Sequence, residues 1–272
     1  MLTTPSPVAT DGTRPAQPGP AIAARPRGRR QALAALALVV LVAALVPPLA
    51  DGAQRYAWVE ALQFSLIAIV VPALVVLAAP WQIIGLRGFA DRLAERRRQW
   101  SDQQSLLGYA RSPRSARPPG RGPSELVRVG LVAGVAIVLE IAWRTPAAVN
   151  RLAGNQWLVL IEAVTLIPAG VGVWLELVPS GPLSPRASRP MRMALAAVSM
   201  WIVWILAYMV GLAHSSWYRA YVHPVGRALS PAADQQVTTW VMWLVAACAF
   251  IPVVFSNLTD WLRSEDRQGQ GL

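Results

Sequence analysis

Six long apolar runs, set apart by polar and arginine-rich segments, organise the chain. At about 17 to 25 residues, each run is long enough to cross a bilayer as a helix. They predict spans over Gln31–Leu49, Ala57–Ala79, Val127–Ile141, Trp157–Val178, Met191–Ala213 and Gln236–Asn257. The expected fold is all-α, a polytopic transmembrane helical bundle occupying residues 31–264. With only short connections left over, the 272 residues have no room for a separate soluble enzyme domain.

The polar intervals differ in character. Residues 1–30, rich in Pro, Ala, Thr and Arg, cannot bury enough apolar surface to order themselves and are expected to form a disordered basic tail. A basic stretch ending in Arg29-Arg30 before an apolar run also suits a signal peptide. This one is long for that role, and Ala32 to Val46 runs into Val46-Pro47-Pro48 without a small-x-small cleavage pattern, so an uncleaved first helix is expected. From Trp81 to Trp100, Ile83, Ile84, Leu86, Phe89, Ala90 and Leu93 recur at helical spacing, while Arg87, Arg92, Arg96, Arg97 and Arg98 fall mostly elsewhere. That pattern suits an amphipathic helix in the membrane interface, with a cytoplasmic extension of the second span as the alternative. Ser101 to Pro123 reads as the flexible part of a loop covering 81–126, and 265–272 as a second cytoplasmic tail. No internal repeat at a solenoid period is visible.

Composition agrees with the pattern: 54% of residues are hydrophobic and the mean hydropathy is +0.40. The net charge of +11 comes wholly from arginine, because the chain has no lysine. Threaded through six spans, twenty arginines fall on one side: five in the N-terminal tail, ten around the loop after the second span, three before the fifth and two at the C-terminus. Arg55, Arg144, Arg151, Arg219 and Arg227 fall on the other. This asymmetry predicts a multi-pass protein of the cell (plasma) membrane with both termini cytoplasmic. It also makes nucleic-acid binding unnecessary as an explanation of the basic charge, and places the Arg-rich segments against anionic lipid headgroups. Of the twelve tryptophans, Trp58, Trp143, Trp157, Trp217 and Trp240 lie near outer helix ends and Trp81, Trp100 and Trp261 near inner ends, as interfacial anchors do. Trp174, Trp201, Trp204 and Trp243 lie deeper and read as bundle packing.

Candidate chemistry is sparse. With His214, His223 and Cys248 as the only strong transition-metal ligands, there is no haem pair within the membrane, no Cys-x-x-Cys and no zinc constellation. Walker and dinucleotide motifs are missing, as is a convincing Ser/His/Asp set, so an enzyme and a bound cofactor are not expected. Cys248 reads as a small packing residue. His214 and His223, with Asp234, lie between the last two spans; they read as ordinary loop residues, or as two imidazoles and a carboxylate able to hold a metal. More informative are Glu60, Glu140, Arg144 and Glu162, ionisable residues in or at the ends of apolar spans and at one face of the threaded membrane. A charge near hydrocarbon is costly unless paired or facing a polar cavity. Arg144 is expected to contact a carboxylate of Glu60, Glu140 or Glu162, the alternative being that it snorkels to the outer headgroups.

Several segments resemble, in order, those of CtaG-type cytochrome c oxidase assembly factors. Pro47-Pro48-Leu49, Val59-Glu60-Ala61-Leu62-Gln63-Phe64 and Pro72-Ala73-Leu74 resemble a family stretch reading Pro-Leu, His-Met-x-Gln-His and Pro-x-Leu, with Gln63 kept and both histidines lost. Trp143-Arg144-Thr145-Pro146 is similar to the family's Trp-His-x-Pro. Val159-Leu160-Ile161-Glu162-Ala163, followed by Gly170 and Trp174, is similar to His-x-x-Glu-His followed by Gly and Trp. Tyr218, Tyr221, Ser230-Pro231-Ala232-Ala233-Asp234-Gln235-Gln236 and Met242-Trp243 resemble its closing signature. The similarity covers residues 36–264, although the family usually has seven helices, one more than this chain.

The resemblance implies a copper site at the outer side, and copper only on that ground. Its five histidine positions hold Glu60, Phe64, Arg144, Val159 and Ala163 here, which cannot rebuild such a site, and a permanently charged Arg144 would repel a cation. The expected function is an integral membrane accessory protein of cytochrome c oxidase assembly, a scaffold without the copper site. Its expected partners are the lipid bilayer and haem-copper oxidase subunits or copper chaperones. The alternative is a small-solute or ion transporter or channel subunit using Glu60, Arg144 and Glu162. Against that alternative stand the lack of a convincing inverted repeat or of a polar stripe along a whole helix, although Pro72, Pro168 and Pro252 could kink three spans.

Overall fold

The computed structural model describes residues 27–80, 95–96, 99, 123–180, 185, 187–222 and 229–269. The expected N-terminal tail, most of the interfacial helix from Trp81 to Trp100, the flexible loop and His223 lie outside the described residues. All regular elements among those described are helical: α1 (Arg27–Leu45), α2 (Leu49–Arg55), α3 (Ala57–Ala78), α4 (Pro123–Arg144), α5 (Pro146–Leu152), α6 (Gln156–Leu177), α7 (Arg189–Gly211) and α8 (Pro231–Gly269). Six of them, α1, α3, α4, α6, α7 and α8, are long and apolar enough to cross a membrane, and the chain is a polytopic helical bundle.

Where helix ends differ from expectation, local chemistry explains the difference. The first helix stops at Leu45 rather than Leu49 because Pro47 and Pro48 have no amide hydrogen to continue it, and α2 restarts at Leu49. In α4 the helix begins at Pro123, since proline at the first position loses no hydrogen bond and has its φ already set. The last helix outruns its apolar stretch at both ends. The Ser230 hydroxyl accepts from the Ala233 amide at 3.2 Å and opens α8 at Pro231, and the polar residues after Asn257 continue it to Gly269.

Span α3 is the centre of the bundle: 67% of its apolar window is buried, against 11–33% for the other five spans. Its N-terminal half packs on α8 and its C-terminal half on α1 and α6, while α4 lies against α6 and α7 against α8. Between these halves Leu66–Val70 widen into a π turn. Pro72 follows two residues later. It cannot donate to the Ala68 carbonyl one turn back, and a local π adjustment accommodates that loss. Leu38, Val39, Val127, Leu131, Val138, Val164 and Phe255 project outward, so the belt that meets lipid is apolar. Two packing expectations are corrected here: Trp201 is 55% exposed and Cys248 is exposed, because both stand on the outward sides of their helices. Trp174 and Trp204 do pack, stacking on Phe250 and Trp243 at ring separations of 5.4 and 3.9 Å.

Candidate functional site

Antiparallel threading gathers the ends of α1, α4 and α7, the starts of α3, α6 and α8, and the short α2 and α5 at one end of the bundle. Arg144 is the last residue of α4. There the Thr145 hydroxyl accepts from the Ala148 amide at 3.3 Å and Pro146 starts α5, so the chain turns and the Arg144 side chain enters the bundle. Its Nη1 donates to Glu60 Oε2 at 2.5 Å and its Nη2 to the Tyr218 hydroxyl at 3.1 Å. The guanidinium carbon lies 4.9 Å from the centre of the Phe64 ring and 5.5 Å from that of Tyr218. Both charged partners are buried. Tyr221 lies edge-on to Tyr218 at 6.4 Å and donates its hydroxyl to the Ala53 carbonyl at 2.7 Å. Burial, ahead of the nearby charges, pushes both phenols above the ordinary tyrosine range.

Of the four ionisable residues singled out, the structure brings three together. Glu162 is buried on the first turns of α6 and feels the charges of both Glu60 and Arg144. Glu140 stands one turn before Arg144 but makes no ion pair among the described residues, because the terminal guanidinium turns inward to α3. Glu60, Gln63 and Glu162 line a cavity of about 120 Å³ together with Gln54, Gln156 and Tyr221.

The five positions at which the resemblance implies histidines come together at this end. Glu60 and Phe64 touch Arg144, Val159 lines the cavity, and Ala163 packs in the same core as Phe64. These residues do not fit copper. They offer no imidazole or thiolate, and one of the two carboxylates already holds a guanidinium. Of the alternative set, His223 lies outside the described residues, His214 is exposed and Asp234 is buried with both oxygens accepting backbone amides; no group of three His, Cys, Asp or Glu able to hold a metal occurs among the described residues.

The signature residues instead join helices. Gln63 donates to the Ala44 carbonyl at the end of α1 at 2.6 Å, and the Trp143 indole donates to the Thr165 hydroxyl at 3.0 Å. Asp234 caps α3 from α8, accepting the Ala57 and Trp58 amides at 3.0 Å each. Gln235 closes the other side of that junction, giving its amide hydrogens to the carbonyls of Val210, in the last turn of α7, and Ala213, just beyond it, and accepting from the Trp217 amide. Met242 is wholly buried. These ties are tertiary and carry no local sequence signal; nor does the Tyr218 contact. One pair was open to detection: Arg128 with Glu176, at the opposite end of α4 and α6, is joined by the same logic of charges at span ends. Asp234→Ala leaves two buried or half-buried amides without their acceptor and is expected to cost about 2 kcal/mol. Detergent unfolding of the variant measures this, and a loss below about 0.5 kcal/mol would remove the cap as a main tie.

Fold and site together define a multi-pass membrane protein whose buried polar groups tie the helices at one end of the bundle. The chain belongs to the cytochrome c oxidase caa3 assembly factor family, whose model matches residues 13–264. No curated protein and no solved structure matches it. Members of such a family are in general not catalysts, and association with oxidase components follows from the family.

Proposed function

We propose that the chain serves oxidase assembly as a membrane scaffold without enzymatic activity, in which an ion pair takes the place of the copper ligands. The observation that carries this reading is the Glu60–Arg144–Tyr218 cluster: it stands where the family resemblance implies imidazoles, and its positive member is permanently charged. Such a cluster fixes α3, α4 and the segment after α7 to one another, which a docking platform needs and a metal-exchange site does not. The arginine asymmetry supports an orientation with this end outside and both termini in the cytoplasm. Oxidase subunits or copper chaperones are the partners on this reading. Deletion should lower assembled haem-copper oxidase several-fold, as read from haem absorbance and subunit copurification. Wild-type chain should restore it, and the purified protein should bind no stoichiometric copper. Normal oxidase levels after deletion, or stoichiometric copper on the purified chain, would refute the proposal.

A further inference from the structure

The cavity beside the ion pair has a polarity gradient. Gln54 and Gln156 are exposed at its mouth, whereas Glu60, Gln63 and Glu162 are buried deeper within it. Glu60 is 4% and Glu162 2% exposed, and Oε1 of each has no hydrogen-bond partner among the described residues. Arg144 holds Glu60 through Oε2 and is not among the residues lining the cavity. Gln63 gives its Nε2 to Ala44, which leaves its Oε1 as the acceptor for anything bound there. Ionised together, two carboxylates against one guanidinium would give this buried group one negative charge in excess, and because an uncompensated charge in such surroundings costs several kcal/mol, the second carboxylate needs a bound cation or a proton.

We propose that this cavity binds a partly hydrated monovalent metal cation, held by Glu60 Oε1, the Glu162 carboxylate and the Gln63 amide oxygen. The donors are all oxygens, which suit a hard ion and not copper. A single positive charge neutralises the group, whereas a divalent ion would replace one negative charge in excess by one positive. The volume of about 120 Å³ equals roughly four waters of about 30 Å³, room for an ion with two or three of them. Access is through the Gln54 and Gln156 mouth.

The purified full chain in detergent, equilibrated in N-methylglucamine chloride, tests this by titration with sodium or potassium chloride at constant ionic strength. A saturable rise in Tm is expected, as for any ligand that binds the native state, together with saturable binding of radioactive sodium or its displacement by potassium. Glu162→Gln should weaken binding at least about tenfold by removing the excess charge, whereas Glu140→Gln, outside the cavity, should bind as wild type does. Equal affinity in wild type and Glu162→Gln overturns the proposal. So does a response to calcium alone, or a Tm that depends on pH but not on either alkali cation, which would assign the cavity to a proton. If Glu162→Gln does not fold, the wild-type measurement decides: absence of saturable sodium or potassium binding overturns the site.

Discussion

Glu60→Leu is expected to destabilise the chain by about 3 to 5 kcal/mol, because it leaves the Arg144 guanidinium buried without the carboxylate it now holds at 2.5 Å. Arg144→Met should cost less. Glu60 stranded by that change can take up a proton and become neutral, whereas a guanidinium has no such escape. The double variant Glu60→Leu/Arg144→Met removes both charges and should recover most of the loss, since paired buried charges contribute little beyond what well-packed apolar side chains of similar size would. The coupling energy of the cycle, measured by unfolding in mixed detergent, is therefore expected to be about as large as the Glu60→Leu loss, about 3 kcal/mol or more, and to oppose the single losses. Additive losses would mean that Arg144 reaches the headgroups in the bilayer and that the pair contributes nothing. Tyr218→Phe adds an independent check. It removes the second acceptor of Arg144 but keeps the ring face, so a smaller loss of about 1 kcal/mol is expected.

The order and number of spans were legible because apolar length is a property of the sequence alone. The ends were legible only where proline marks them, as after Leu45; α8 runs past Asn257 because a started helix propagates through polar residues that carry no hydropathy signal. Glu60, Arg144 and Glu162 stood out as charges in apolar runs, and the spacing of Glu140 and Arg144 made a fourth member plausible. Which carboxylate Arg144 takes depends on how α4 ends. The Thr145–Pro146 turn that decides it acts through backbone geometry. Asp234 and Gln235 were noticed as a motif, and Asp234 also as a conceivable metal ligand. Their role as caps of α3 and α7 could not be read, because each acceptor or donor lies on a helix far away in the chain. Gly170 belongs to the same class: a residue recognised by its motif, whose reason lies in a neighbour's backbone.

That reason yields the second large effect. A Cβ on Gly170 would stand 2.7 Å from the Ala68 carbonyl oxygen, 2.7 Å from Pro72 Cγ and 2.9 Å from Pro72 Cβ. None of these atoms is the far end of a flexible chain. Ala68 lies in the π turn, whose form follows from Pro72, and Pro72 is locked by its own ring. The clash can be relieved only by moving α6 away from α3, the most buried span, and that opens contacts along both helices. Gly170→Ala is thus expected to cost about 2 to 3 kcal/mol, the upper range for overpacking, and Gly170→Val more, to the point of lowering the amount of folded protein in the membrane. Gly130→Ala supplies the contrast. Nothing lies within 4 Å of its Cβ position, so the added methyl meets no packing penalty and helix propensity favours it by up to about 1 kcal/mol. Unfolding midpoints of the three variants, with yield from the membrane fraction, decide the matter: if Gly170→Ala is as stable as Gly130→Ala, α6 does not approach α3 through its backbone at this point, and the position of Glu162 over the cavity must be set by other contacts.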